Sequence, residues 1–162
     1  MAFLTDPEIA ALLAEPKPLP LDYRQRITLR PKRGHSEREL DFNGGGGNGF
    51  RMILRQSLFN PLDFSVILAW LPADSTGLFR LTRFNGLSHE HTNTLEAETF
   101  YDFHIHRATE RYQRAGHRED TYAEPTDRYQ DFNTAIRRAL ESLAFQLPPG
   151  EQLGFFDEVD TL

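Results

Sequence analysis

The feature that most constrains the fold is an unbroken apolar run, DFSVILAWL, at residues 63–71. A strand with one buried face alternates apolar and polar residues, whereas an apolar run without alternation is typical of a central strand covered on both faces. The run is too short to cross a membrane as a helix, which needs about 20 apolar residues. The chain is therefore predicted to build a sheet around residues 63–71.

Segments on both sides of this run alternate apolar and polar residues with the period of two that a half-buried strand shows. This alternation predicts strands at 23–33, 36–43, 50–58, 78–86 and 100–108. The glycine-rich residues 44–49 predict a flexible connection. The dipeptide Asn85-Gly86 is typical of a tight turn.

Helices are predicted near both ends of the chain. Thr5 and Glu8 have the spacing of a capping box, so a short N-terminal helix is expected before Pro16. From residue 132 to 143, apolar residues recur with helical spacing, which predicts a helix near 127–145 with Thr126 as its cap. We therefore expect an α+β fold, an antiparallel sheet of five to six strands with the C-terminal helix across one face.

The length of 162 residues suits one domain with its own core. We expect a single α+β domain over 1–145, followed by an acidic C-terminal tail over 146–162. Because the chain has no cysteine, disulfides, thiolate metal sites and cysteine nucleophiles are excluded. The first residues lack the basic and apolar stretches of a signal peptide. A cytoplasmic protein that does not enter membranes is predicted.

Charge is distributed unevenly along the chain, whose net charge is −6. Residues 1–85 carry a net +2 and residues 86–162 a net −8, and the segment 24–55 holds eight basic and three acidic side chains. Such a segment is either a footprint for phosphate groups or the solvated face of a strand pair. The predicted edge strand at 24–33 is also open to pairing across a dimer axis. Nucleic acid, a protein partner and a homodimer are the interactions that these features predict.

Four of the six histidines lie in two His-x-His pairs, His89 with His91 and His104 with His106. On a strand, this spacing places two imidazoles on one face about 7 Å apart at the Cα atoms. We expect His104 and His106 to share a polar, solvated face with Asp102, opposite the apolar core. The question is which chemistry these rings perform.

The favoured hypothesis is acid–base chemistry on nucleic acids or other phosphoesters, in the manner of a ribonuclease and with no metal or other cofactor. Neutral imidazoles transfer protons near pH 7, and arginines stabilise the charge that develops at phosphorus. The residues predicted to be catalytic are His91, His104, His106, Arg83 and Arg107. The residues predicted to bind or orient the substrate are Asn93, Thr109, Tyr112, Arg51 and Arg55.

Three alternatives stay open. The first is a divalent-metal site at His104 and His106, with a third ligand from His91, His89 or Asp102. The second is a non-enzymatic protein-interaction module that uses the basic segment 24–55 or the acidic tail. The third is that the histidines are hydrogen-bonded and inert on the surface of the sheet.

Three segments of the chain also carry a resemblance: RFNGLSHEHTN (83–93), FHIHRATERYQ (103–113) and YAEPTDRY (122–129). Together they resemble a family of small prokaryotic proteins with a domain of unknown function, over about residues 50–145. The resemblance implies a prokaryotic, cytoplasmic protein. It implies no particular activity and no catalytic residue.

Overall fold

The computed structural model describes residues 2–151 of the chain. Within this range the chain forms four helices and eleven strands. In chain order they are α1 (Asp6–Ala14), β1 (Lys17–Pro18), α2 (Tyr23–Arg26), β2 (Arg30–Pro31), β3 (His35–Asn43), β4 (Gly49–Ser57), β5 (Phe64–Leu71), β6 (Phe79–Asn85), β7 (His91–Asn93), β8 (Glu98–Phe100), β9 (His104–Arg107), α3 (Glu110–Arg114), β10 (Ala123–Pro125), α4 (Phe132–Ser142) and β11 (Phe145–Gln146). No helix in the described part is long and apolar enough to cross a membrane.

The main sheet has seven antiparallel strands in the order β10-β9-β6-β5-β4-β3-β2. The apolar run is β5, at the centre of this sheet between β4 and β6. The predicted α+β class is therefore confirmed. The sheet has seven strands, more than the five to six expected, because the short strand β10, which the sequence does not predict, extends one edge beside β9.

Both longer helices pack on one face of the sheet. The capping box at Thr5 and Glu8 that predicts α1 is present. The apolar stripe of α4 is buried against the sheet as predicted, and its members are Phe132, Ala135, Ile136, Ala139, Leu140 and Leu143. The predicted cap at Thr126 is wrong, because α4 begins after Asp131, whose carboxylate accepts from the Thr134 amide.

The opposite face of the sheet is covered at one end by the β7–β8 hairpin. The side chain of Asn93 in β7 exchanges two hydrogen bonds with the backbone of Ala123 in β10, at 2.7 and 3.0 Å. Asn93 is buried. The hairpin therefore closes over β9 and β10, the strands that carry or flank the second His-x-His pair.

The predicted strand at 23–33 is wrong over most of its length. Its first half is the single helical turn α2, and only Arg30–Pro31 pairs with β3. A strand would place Gln25 on the same side as Tyr23 and Ile27, whereas a helical turn buries those two residues and leaves Gln25 exposed. The exposed Gln25 between the buried residues Tyr23 and Ile27 is therefore compatible with a helical turn and not with a strand.

The strand and turn predicted around the histidines are also shorter or different. The strand at 100–108 is confined to β9, because Phe100 belongs to β8 and residues 101–103 lead from the hairpin back to the sheet. The predicted tight turn at Asn85-Gly86 is wrong, since the Gly86 amide still donates to the carbonyl of Phe64. A Cβ at Gly86 would lie 2.0 Å from the Leu62 carbonyl oxygen, so this close approach requires glycine.

The chain beyond α4 remains attached to the body of the protein. Strand β11 pairs in parallel with β1, and Glu151 forms an ion pair with Arg24. Residues 152–162, most of the predicted acidic tail, lie outside the described residues.

Candidate metal centre

Three histidines converge on the face of the sheet opposite α1 and α4. Strand β9 places His104 and His106 on that face, and β7 brings His91 over them. The ring centroids are 5.4 Å apart for His91 and His104, and 4.8 and 4.9 Å apart for the pairs that include His106. One ring nitrogen from each histidine lies within 4.8 Å of those from the other two.

These rings are not on a solvated surface, contrary to the expectation from the sequence. His104 is 1% exposed and His106 is 4% exposed. The reason is the β7–β8 hairpin, which the alternating pattern does not predict to fold back over β9. The ring of Phe100 in this hairpin lies 5.5 Å from His91 and 5.6 Å from His104, so the cluster has an apolar wall.

Each imidazole donates one ring N–H to a fixed oxygen. His104 Nδ1 donates to the Asp102 carbonyl and His106 Nδ1 donates to the Asp120 carbonyl, both at 2.8 Å. His91 Nε2 donates to Asn93 Oδ1 at 2.9 Å. The second nitrogen of each ring is therefore left with a lone pair, and His104 Nε2 is buried without a hydrogen-bond partner. Outer hydrogen bonds of this kind orient histidine ligands in metal sites.

Burial keeps the two strand histidines neutral. Burial lowers the pKa of His104, and its hydrogen bond to the Asp102 carbonyl opposes this only in part. Burial, followed by the positive charge of Arg83, lowers the pKa of His106 to about 2. At pH 7 both rings therefore hold lone pairs and no positive charge, which is the state that binds a metal ion.

The three imidazoles are donors that suit a divalent transition metal, although their nitrogens are as much as 4.8 Å apart. Three imidazole nitrogens about 2.0 Å from a tetrahedral zinc ion lie about 3.3 Å from one another, so a modest inward movement of the rings closes the site. A three-histidine set leaves a further position for water or a substrate atom. The other predicted third ligands, His89 and the Asp102 carboxylate, are not part of this cluster.

Two charged residues beside the cluster form a buried pair. Arg83 on β6 lies opposite His106 in the strand register, and its guanidinium Nη2 is 3.4 Å from Asp120 Oδ2. Asp120 is fully buried and also accepts from Arg118 at 2.7 Å. The sequence predicts Arg83 at the site but not Asp120, which belongs to a charged stretch that is typical of a surface. Asp120 is recognised as part of the site only from its burial in the structure.

Two of the predicted substrate-binding residues instead support the fold. Thr109 caps α3 by accepting from the Tyr112 amide. The Tyr112 ring is buried, and its hydroxyl donates to Glu96. Asn93, predicted to orient the substrate, orients His91 and ties the hairpin to β10.

The predicted arginines fall at different places. Arg107 lies beside Ile105 and Arg128 on the helix side of the sheet, away from the histidines. Arg51 is held by Asp41 at 2.6 Å on β3. Arg55 lines a cleft of about 380 Å³. Of the predicted arginines, therefore, only Arg83 adjoins the cluster directly.

The cleft that Arg55 lines is separate from the histidine cluster, since His91, His104 and His106 are not among its lining residues. Its charged and polar lining includes Arg33, His35, Arg55, Ser65 and His89. Ser65 donates to Asn85, which lies opposite His104 in the strand register. His89 is exposed and lines this cleft, whereas His91 belongs to the histidine cluster.

Comparisons of the chain with protein-family models, with curated proteins and with solved structures find no match.

Proposed function

We propose that this protein binds one divalent transition-metal ion through His91, His104 and His106 and uses the remaining position for hydrolytic chemistry. The observation that carries the proposal is the convergence of three imidazoles, of which His104 and His106 are buried and His91 is half-buried, each with one nitrogen held by a hydrogen bond and the other left as a lone pair. Zinc is the ion that this donor set suits best, and it lowers the pKa of a bound water to about 7.

Metal-independent acid–base catalysis, favoured on the sequence alone, has weaker support from this geometry. A general acid must be protonated and must reach the substrate. With a pKa lowered to about 2 and an exposed fraction of 4%, His106 meets neither condition. The same burial that removes it as an acid makes it a suitable ligand.

The experiment is thermal unfolding with and without metal ions. Zinc or cobalt at a hundred times the dissociation constant adds about 2.7 kcal/mol of stability, which raises Tm by roughly 5–10 °C in a domain of this size. A chelator is expected to reverse the shift, and titration is expected to give one ion per chain.

Matched variants separate the cluster from adventitious binding. His91→Ala removes a ligand from the hairpin, whereas His117→Ala removes an exposed histidine outside the cluster. We expect the metal-dependent rise in Tm to disappear in the first variant and to persist in the second. If zinc, cobalt, nickel and manganese at millimolar concentration all leave the Tm of the unmodified protein unchanged, the proposal is wrong.

A further inference from the structure

The guanidinium of Arg83 lies beside the proposed metal centre, and not all of its N–H groups are hydrogen-bonded. Its side chain is only 18% exposed, and residues 2–151 provide no hydrogen-bond partner for its buried Nε. Arg83 is paired with His106 in the register of β6 and β9, so the two side chains project from neighbouring strands on the face of the sheet that carries the histidine cluster. A buried N–H without a partner costs free energy unless a ligand completes it.

Asp120 holds this guanidinium without saturating it. Its Oδ2 lies 3.4 Å from Arg83 Nη2 but forms no hydrogen bond, while its Oδ1 is taken by Arg118. The backbone carbonyl of Asp120 accepts from His106. One residue therefore positions both the arginine and a proposed metal ligand.

The charge balance around the cluster calls for an anion once a metal ion is bound. The three histidines bring no negative charge, and Asp120 is shared between two arginines, Arg83 and Arg118. Arg80 is already paired with Glu119. A divalent cation beside this group leaves an excess of positive charge in a buried place, which is costly unless an anion joins it.

We infer that the open position of the metal takes an oxyanion of the substrate, a carboxylate or a phosphoryl group, with Arg83 as the specificity-determining residue that pairs with its second oxygen. The inference rests on the proposed metal site. A planar guanidinium suits this role because it binds two oxygens side by side. Metal and oxyanion should then strengthen each other's binding by the same factor.

The test uses the cobalt-loaded protein, whose visible absorption reports the ligands of the ion. Acetate and methylphosphonate are titrated separately, as probes of the carboxylate and the phosphoryl source. Both are expected to change the spectrum, and the anion that binds more tightly identifies the source. In Arg83→Gln, we expect the affinity for the anion to fall at least tenfold, while cobalt without anion binds as tightly as before or more tightly.

Arg51→Gln is the matched control, because Arg51 is also paired with a carboxylate but lies away from the cluster. It should leave anion binding unchanged. If Arg83→Gln does not fold, Arg83→Lys keeps the charge beside Asp120 and is expected to bind the anion several-fold more weakly.

The outcomes separate the two proposals. If cobalt binds but neither anion alters its spectrum, or if the variants at Arg83 bind the anion normally, the oxyanion inference is wrong and the metal site stands. If cobalt does not bind to the unmodified protein, the metal site is wrong and the inference falls with it.

Discussion

At the scale of single residues, the burial of His106 couples its protonation to folding. Its pKa is lowered to about 2 in the folded protein, first by burial, from an ordinary value of 6.5. Below pH 6.5 this imidazole therefore binds a proton in the unfolded chain but stays neutral in the folded chain. The free energy of unfolding is therefore not reduced by this ring above pH 6.5. It decreases as the pH falls toward the folded pKa, by up to about 1.4 kcal/mol per pH unit.

We predict that His106→Asn flattens this dependence. The asparagine amide nitrogen takes the place of Nδ1 and can still donate to the Asp120 carbonyl. In urea unfolding of the metal-free protein, between about pH 6 and pH 5, the slope of the unfolding free energy against pH should fall by up to about 1.4 kcal/mol per unit. His117→Asn, at an exposed histidine, should keep the full slope. An unchanged slope in His106→Asn would mean that this ring is not buried as described.

The sequence identifies the three histidines and Arg83, but it also predicts residues that lie elsewhere, such as Arg107, and it gives the histidines the wrong environment. The His-x-His spacing correctly places His104 and His106 on one face of a strand. It cannot show that a three-residue strand, β7, folds back over them, because that packing depends on the distant contact of Asn93 with Ala123. Because His104 is buried, we expect His104→Ala to destabilise the protein by leaving a cavity.

At the scale of elements, Lys17 joins the ends of two helices. Lys17 is fully buried, and its Nζ lies 2.8–2.9 Å from four carbonyl oxygens, those of Leu12, Leu13 and Glu15 at the end of α1 and that of Leu143 after α4. Its three N–H groups share these four acceptors. Burial lowers its pKa to about 8, while the charge of Glu15 raises it. The ammonium is therefore still mostly charged at pH 7, and it caps carbonyls that a helix end otherwise leaves without donors.

We predict that Lys17→Met destabilises the protein by about 3 kcal/mol or more, because several buried carbonyls lose their donor at once. Lys32→Met is the matched control, since the only other lysine is exposed and pairs with Glu37. Chemical denaturation at neutral pH should show a large shift of the midpoint for the first variant and almost none for the second. Equal midpoints would contradict the capping role.

The sequence predicts the elements well where apolar spacing is regular, and poorly where one tertiary contact decides. Strands β4 to β6 and helix α4 each bury several apolar residues and are recognised in the sequence. Strand β3 buries only Leu40 and is recognised by the alternation of Leu40 and Phe42 with polar residues. Lys17 stands in a Pro-Lys-Pro segment that carries no signal of burial. The start of α4 shifts to Asp131 because Tyr129 turns inward, where its hydroxyl donates to the carbonyls of Asn85 and His104.

At the scale of the whole molecule, the basic segment 24–55 is partly neutralised by the fold. Four of its eight basic side chains form ion pairs with carboxylates: Arg24, Arg26, Lys32 and Arg51. Two of the others, Arg33 and Arg55, line the cleft beside His89. With a net charge of −6 on the chain as a whole, the long-range field does not favour polyanions.

We therefore predict weak binding to a single-stranded oligoribonucleotide, with a shallow dependence on salt. Each phosphate contact contributes about 0.7 to the slope of log K against log salt. The four arginines of segment 24–55 that are not among these ion pairs therefore give a slope of about −3, whereas all eight basic residues would give about −6. Replacing Arg33 and Arg55 by serine should remove about half of the smaller slope. Lys32→Ser should leave it unchanged, because Glu37 already neutralises that charge. Fluorescence anisotropy at several salt concentrations measures all three proteins, and a slope near −6 for the unmodified protein would show that the ion pairs open to bind nucleic acid.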